Sequence, residues 1–188
     1  MIKKKIVSFF FIFVISVLPT FSSYKDILNR FEKAKTISFN FTQTYISGDK
    51  TESLTENGSV FYKNGCWRWD YLGVDKRSYI ILEDEIYEQS EDGVEKLNLT
   101  KDQFNQSIVN ILKRPNDFIN SHRKQNTGAS ILIFGNKEDA FSNIKICFKK
   151  GDIDKIIIIS RNSDILTIGL SNIKFNIKID DSLFHIKK

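Results

Sequence analysis

The chain has 188 residues, 41% of them hydrophobic and 13% aromatic, with 28 Lys or Arg against 23 Asp or Glu. That much apolar material supports a substantial core and excludes a disordered chain. Without Lys3, Lys4 and Lys5 the net +5 falls to 25 basic against 23 acidic residues, or +2, and the other lysines lie among acids, which excludes the dense basic stripe of a nucleic-acid binder.

Those three lysines precede Ile6–Leu18, an apolar run interrupted only by Ser8 and Ser16, and then Pro19, Thr20 and Ser22. A basic start, a short apolar run and small residues beyond it predict a cleavable secretory signal peptide over 1–22 and one exported domain over 23–188. The run is short for a bilayer span, which takes about 20 residues. No cysteine stands at the predicted cut, so a lipid anchor on the mature chain is not expected.

In Tyr24–Lys35, Ile27, Leu28, Phe31 and Ala34 form one stripe of an amphipathic helix. Thr36–Ile46 then alternates: Ile37, Phe39, Phe41, Gln43 and Tyr45 on one face, Ser38, Asn40, Thr42 and Thr44 on the other. A period of two is a strand signal. Ser47–Lys50 turns the chain and Thr51–Lys63 returns. Asn64-Gly65 is a hairpin signal, because both residues tolerate positive φ. Cys66–Tyr71 follows with Trp67, Trp69 and Tyr71 on one side and Arg68 and Asp70 on the other. Both tryptophans of the chain therefore share one face of one strand, which is either ordinary core or the wall of an apolar pocket.

Shorter strands are predicted at Arg77–Leu82, Glu85–Gln89 and Val94–Leu99. Between Thr100 and His122 the period changes: Phe104, Ile108, Ile111 and Leu112 fall on one helical face, Arg114-Pro115 ends that helix, and a second short one carries Phe118 and Ile119. Strands resume at Ala129–Phe134, Asn143–Lys149, Lys155–Ser160, Ile165–Ser171 and Ile173–Ile179, with the tail from Ser182 as a candidate edge strand. About ten strands with short turns predict an α+β fold on an antiparallel sheet. The leading helix is expected on the convex side of the sheet and the inserted helices in its mouth.

Catalytic signals are missing. His122 reads as a solvated surface histidine and His185 as a residue of a strand edge, and neither is spaced for a triad. There is no Gly-x-Ser-x-Gly, P-loop or His-Glu-x-x-His. Two cysteines and two distant histidines lack the spacing of a zinc site. Cys66 and Cys147 are compatible with a disulfide or with burial as small hydrophobes. The reading is of a non-enzyme without cofactor or metal.

Phe41-Thr42-Gln43 after a short leading helix resembles the Phe-x-Gln signature of the outer-membrane lipoprotein carrier family, the LolA family of periplasmic chaperones. The likeness extends through Gly58 and Lys63-Asn64-Gly65-Cys66-Trp67-Arg68-Trp69-Asp70-Tyr71, then Ile80–Tyr87, and ends at Leu183-Phe184. It implies an incomplete antiparallel β-barrel, a curled sheet of about ten to eleven strands with a helical lid. It also implies a periplasmic, monomeric carrier that takes lipoproteins by their acyl chains from an inner-membrane ABC exporter to an outer-membrane acceptor. The implied cavity wall is Phe39, Phe41, Trp67, Trp69, Tyr71 and Ile81. The lid is Phe104, Ile108, Ile111 and Leu112. Lys63 takes the place of the family's arginine latch, keeping the charge without the planar fork. The competing reading is a half-barrel regulator of the cell envelope that senses a protein or a lipid.

Overall fold

The computed structural model describes residues 23–83, 85–97 and 108–186. The predicted signal peptide, Thr100 and Phe104 lie outside them. Helix α1, Tyr24–Lys33, begins at a capping box in which the Ser23 side chain accepts from the Asp26 backbone and Asp26 accepts from the Ser23 backbone. This satisfies two of the amide donors that a helix start leaves open. The following strands are β1 (Thr36–Ile46), β2 (Ser53–Lys63), β3 (Cys66–Leu72), β4 (Arg77–Leu82), β5 (Glu85–Ser90) and β6 (Gly93–Leu97). Two six-residue helices, α2 (Ile108–Lys113) and α3 (Pro115–Asn120), come next. The chain then forms β7 (Arg123–Asn126), β8 (Ser130–Phe134), β9 (Phe141–Lys149), β10 (Asp152–Ser160) and β11 (Ile165–Phe175), and ends in a 3-10 turn at Asp181–Phe184.

The strands make one antiparallel 11-stranded sheet in the order β6-β5-β4-β3-β2-β1-β11-β10-β9-β8-β7. It is curled and unclosed, the incomplete barrel expected from the sequence. Among the described residues its two edges, β6 and β7, do not pair with one another. Residues 98–122, which join these edges, carry α2 and α3. Both edges carry charge: β7 reads Arg-Lys-Gln-Asn and is exposed throughout, and β6 sets Glu95 and Lys96 beside the exposed Val94. Such edges resist pairing with other chains. With no apolar residue to alternate, β7 gave no signal in the sequence.

The Asn64-Gly65 hairpin has φ of 50° and 91° at its two central residues, the positive pair that a tight antiparallel turn requires. Lys63 pairs with Cys66 across it. Gly58, opposite Phe41, is needed for space: a Cβ there would lie 2.1 Å from the Asp70 carbonyl oxygen and 2.4 Å from the Phe41 ring.

Two strands expected from the sequence are one. β11 runs unbroken from Ile165 to Phe175, with Asn172 at a φ of 53° where the register against β1 shifts. Asn176, at a φ of 55°, ends it: its amide donates to Thr36 O at 2.8 Å and its side chain accepts from Lys35 N at 3.0 Å. The alternation that predicted a strand to Ile179 belongs instead to a segment crossing the convex side. The tail is correspondingly a 3-10 turn packed on β3, not an edge strand.

The main core lies on the concave face. Side chains of β1, β3, β8, β9, β10 and β11 meet Ile27, Leu28 and Phe31 of α1 and Val109, Ile111 and Leu112 of α2 in one buried cluster. The leading helix therefore packs on the concave side, contrary to expectation. Its stripe fixes this: Phe31 meets Phe175 edge-on at 5.1 Å between ring centres, and Tyr24 meets Phe148 at 6.3 Å. Both partners project from the concave face.

Candidate functional site

Strand parity brings the sequence-predicted wall together. Phe39 and Phe41 on β1, Trp67, Trp69 and Tyr71 on β3, and Ile81 on β4 all project from the concave face. Trp69 packs against Phe39 edge-on at 6.0 Å and against Phe41 at 5.3 Å, and Phe41 meets Tyr71 at 5.0 Å over Gly58. Sequence reasoning left out two further rings. Tyr62 lies 4.6 Å from Trp67, and Tyr79 meets Tyr71 at 5.6 Å. Tyr62 alternates with Val60 on β2, and that period was the signal available for it. The opposite wall is aliphatic, with Ile144, Ile146, Ile156 and Ile168.

This face is closed. Trp67 is 1% exposed, Trp69 4%, and Phe39 and Phe41 2% each. Among the described residues the cover consists of α1 and the inserted helices. Ile111 and Leu112 are buried, as is Val109, which was not singled out in the sequence, while Ile108 is half-buried. Neither indole Nε1–H has a hydrogen-bond acceptor among the described residues. Each buried unpaired donor costs about 1–3 kcal/mol.

The cover is fastened by polar contacts at its ends. Asn116 Nδ2 on α3 donates to Asn29 Oδ1 of α1 at 2.8 Å and to Glu32. His122 is not the solvated residue expected: its side chain is 9% exposed, with Nδ1 2.8 Å from Phe118 O and Nε2 3.3 Å from Asp139 Oδ2. It thereby ties the end of α3 to the β8–β9 connection.

Lys63 sits on the other side of the sheet. Its Nζ donates to Ile179 O at 2.8 Å and pairs with Asp181 at 2.7 Å, so its partners among the described residues belong to the C-terminal segment. Arg68 reinforces that contact by donating to Leu183 O at 2.7 Å, while pairing with Asp70 at 2.6 Å. Beneath the segment Ile80, Ile179 and Phe184 are buried outside the main core. Cys66 and Cys147 are free, on β3 and β9, with four strands between them in the sheet.

At the open end of the face the lining turns polar. Tyr71 Oη donates to Gln43 Oε1 at 3.0 Å, which gives the glutamine of Phe41-Thr42-Gln43 a structural partner. Arg77 stacks over the Tyr71 ring at 4.4 Å, pairs with Glu56 at 2.7 Å and donates to Tyr79 Oη at 3.2 Å. Burial, with the Glu56 carboxylate nearby, pushes the Tyr71 hydroxyl from its ordinary 10.0 up to about 12. It remains a neutral donor. Beside this rim a cleft of about 230 Å³ opens between Tyr45, Phe141, Ile158 and Leu166. Tyr45, Ile158 and Leu166 continue the concave face beyond the covered part. Among the described residues no group of three or more His, Cys, Asp or Glu side chains could hold a metal ion. What the arrangement offers is a broad aromatic and aliphatic surface under a helical cover.

Residues 32–187 match the family described as outer membrane lipoprotein carrier protein LolA. No curated protein matches the chain. Among solved structures, a LolA superfamily protein from Nitrosomonas europaea is 10% identical with a TM-score of 0.53, covering 87% of this chain and 98% of its own. An outer membrane lipoprotein-sorting protein domain from Vibrio parahaemolyticus is 9% identical, TM-score 0.45, over 86% and 94% of the two chains. The Mycobacterium tuberculosis lipoprotein LppX is 11% identical, TM-score 0.48, over 84% and 96%. At such identities the first likeness speaks for the fold alone.

Proposed function

Because the chain belongs to the outer membrane lipoprotein carrier protein LolA family, we propose that it is a periplasmic carrier that shields the acyl chains of lipoproteins against its concave face. It receives them from an inner-membrane ABC exporter and gives them up to an outer-membrane acceptor. The observation that carries this reading is the wall formed by Phe39, Phe41, Trp67, Trp69, Tyr71 and Ile81, closed over by short helices. Isolated helices below about 12–15 residues are marginal in water; α3 has six residues, and six residues of α2 are described. They hold their place through packing and yield it to a guest that packs better.

The magnitudes suit reversible exchange. Val109, Ile111, Leu112 and Ile119 are the buried side chains of α2 and α3 apart from Pro115. At about 1.5–3 kcal/mol each, they are worth about 6–12 kcal/mol to the closed state. Acyl chain gains about 0.8 kcal/mol per CH₂, so roughly 10 kcal/mol for one chain. The cover therefore competes on nearly equal terms with one fully buried chain, so a carrier that lets go as readily as it takes shields the several chains of its cargo only in part. Ile108, Ile111 and Leu112 form the lid in this proposal. Packing and the Asn116 contacts, rather than Lys63, hold it shut.

The test is mass spectrometry of what accompanies the protein when it is gently isolated from the periplasm. Acylated lipoprotein or lipopeptide is expected, and Trp67→Glu, which places a carboxylate on the wall, should lose it. A folded wild-type protein free of lipid and complexed instead with a protein partner would refute the carrier and favour the regulator.

A further inference from the structure

Trp67 and Trp69 are the two largest side chains of the covered face, and both indole Nε1–H groups are buried without an acceptor among the described residues. An indole nitrogen donates and cannot accept. Its surroundings leave it unmet: the ring contacts of Trp69 are to Phe39 and Phe41, and that of Trp67 is to Tyr62. Phenylalanines in place of the tryptophans would line the same wall without stranding a donor. The two positions are also neighbours on one face, two residues and hence about 7 Å apart along β3. An apolar guest made only of methylene groups gives such donors nothing. An acyl guest differs, because every ester-linked chain begins at a carbonyl oxygen, and a diacylglyceryl group carries two of them.

We propose that Trp67 and Trp69 are hydrogen-bond donors to the ester carbonyls of the bound acyl chains, so that the site recognises acyl esters and not hydrocarbon as such. This rests on the carrier reading. In the closed state neither donor meets an acceptor among the described residues. When the helices move aside and cargo enters, each indole gains a partner that the described residues do not supply. The unmet donors thus weaken the closed state relative to the loaded one, and they tie that weakening to the chemistry of the ligand. At equal chain length the ether chain buries no less methylene surface than the ester. Only the ester pairs the indoles.

The experiment uses the full mature protein and three probes of equal chain length: a diacylglyceryl-cysteine lipopeptide, the same peptide with dialkyl ether chains, and a diacyl phospholipid. The expected result is that the ester lipopeptide binds about a hundredfold more tightly than the ether one, about tenfold for each of two well-made hydrogen bonds in a buried site. The two indole N–H proton resonances should move downfield with the ester and stay in place with the ether. The double variant Trp67→Phe/Trp69→Phe should bind ester and ether lipopeptides alike. If it does not fold, the wild-type comparison and the indole resonances still decide. A phospholipid that shifts the indoles as far as the lipopeptide does supports the donation and broadens the ligand to diacyl esters at large. Equal affinity for ester and ether with unmoved indole resonances would overturn the inference while leaving the carrier intact. Failure of all three probes to bind would overturn the carrier reading and the inference together.

Discussion

Leu112→Ala tests whether the cover is a separable lid or a fixed part of the core. Leu112 is 1% exposed on α2. Truncating a fully buried leucine costs about 2–5 kcal/mol, set by how far the site can collapse. If the helices open on their own, that loss falls on the closing equilibrium. At 2 kcal/mol the closed-to-open ratio drops about thirtyfold. Because apparent affinity scales with the fraction already open, uptake of an apolar fluorescent probe should tighten by about the same factor. A control separates this from general destabilisation. Ile80, 0% exposed on β4, is equally buried but lies on the other side of the sheet, outside the covered face. Ile80→Ala should lose comparable stability in a denaturant titration and leave probe affinity unchanged. Should Leu112→Ala lose stability without any gain in probe affinity, the helices do not open independently, and competition between cover and cargo fails as a mechanism.

Gly58→Ala should destabilise the fold by about 1–3 kcal/mol, the usual penalty for overpacking, because the added carbon meets a ladder carbonyl and the Phe41 ring that cannot both retreat. Gly73→Ala, where nothing lies within 4 Å of the new Cβ, is the matched control, and equal denaturation midpoints for the two would refute the steric argument. Tyr71 supplies a pH signature. Its hydroxyl is raised to about 12 in the folded chain from 10.0, so the folded state holds its proton where the unfolded state releases it. The corresponding stability is present below pH 10 and declines as pH rises to about 12, by about 2–3 kcal/mol. In Tyr71→Phe that part of the decline should vanish from the pH series of urea midpoints, and an unchanged slope would show that Tyr71 is not its source.

Local patterns carried most of the architecture. The alternation of Phe39, Phe41 and Gln43, the Asn64-Gly65 turn and the shared parity of Trp67, Trp69 and Tyr71 depend on contacts between near neighbours in the chain. The hairpins inherit them directly. The errors have the opposite character. Residues 172–179 alternate as a strand does, yet Asn176 turns the chain away once its amide and side chain find Thr36 and Lys35, which are distant in sequence. His122 looked solvated because its immediate neighbours are polar, and it is enclosed by Phe118 and by Asp139 from another connection. Lys63 stands where the resemblance put a latch, and among the described residues its ammonium meets Ile179 and Asp181 on the convex side, partners that no local window of the sequence contains.

The sequence by itself determined that this is an antiparallel sheet with an aromatic face, because a period of two and the positive-φ turns are properties of short stretches. Tertiary structure alone decided what covers that face and that its two indoles meet no acceptor among the described residues. Those outcomes depend on helices folding back across a sheet whose strands come from both ends of the chain. No local window contains both the donor and the acceptor it fails to meet.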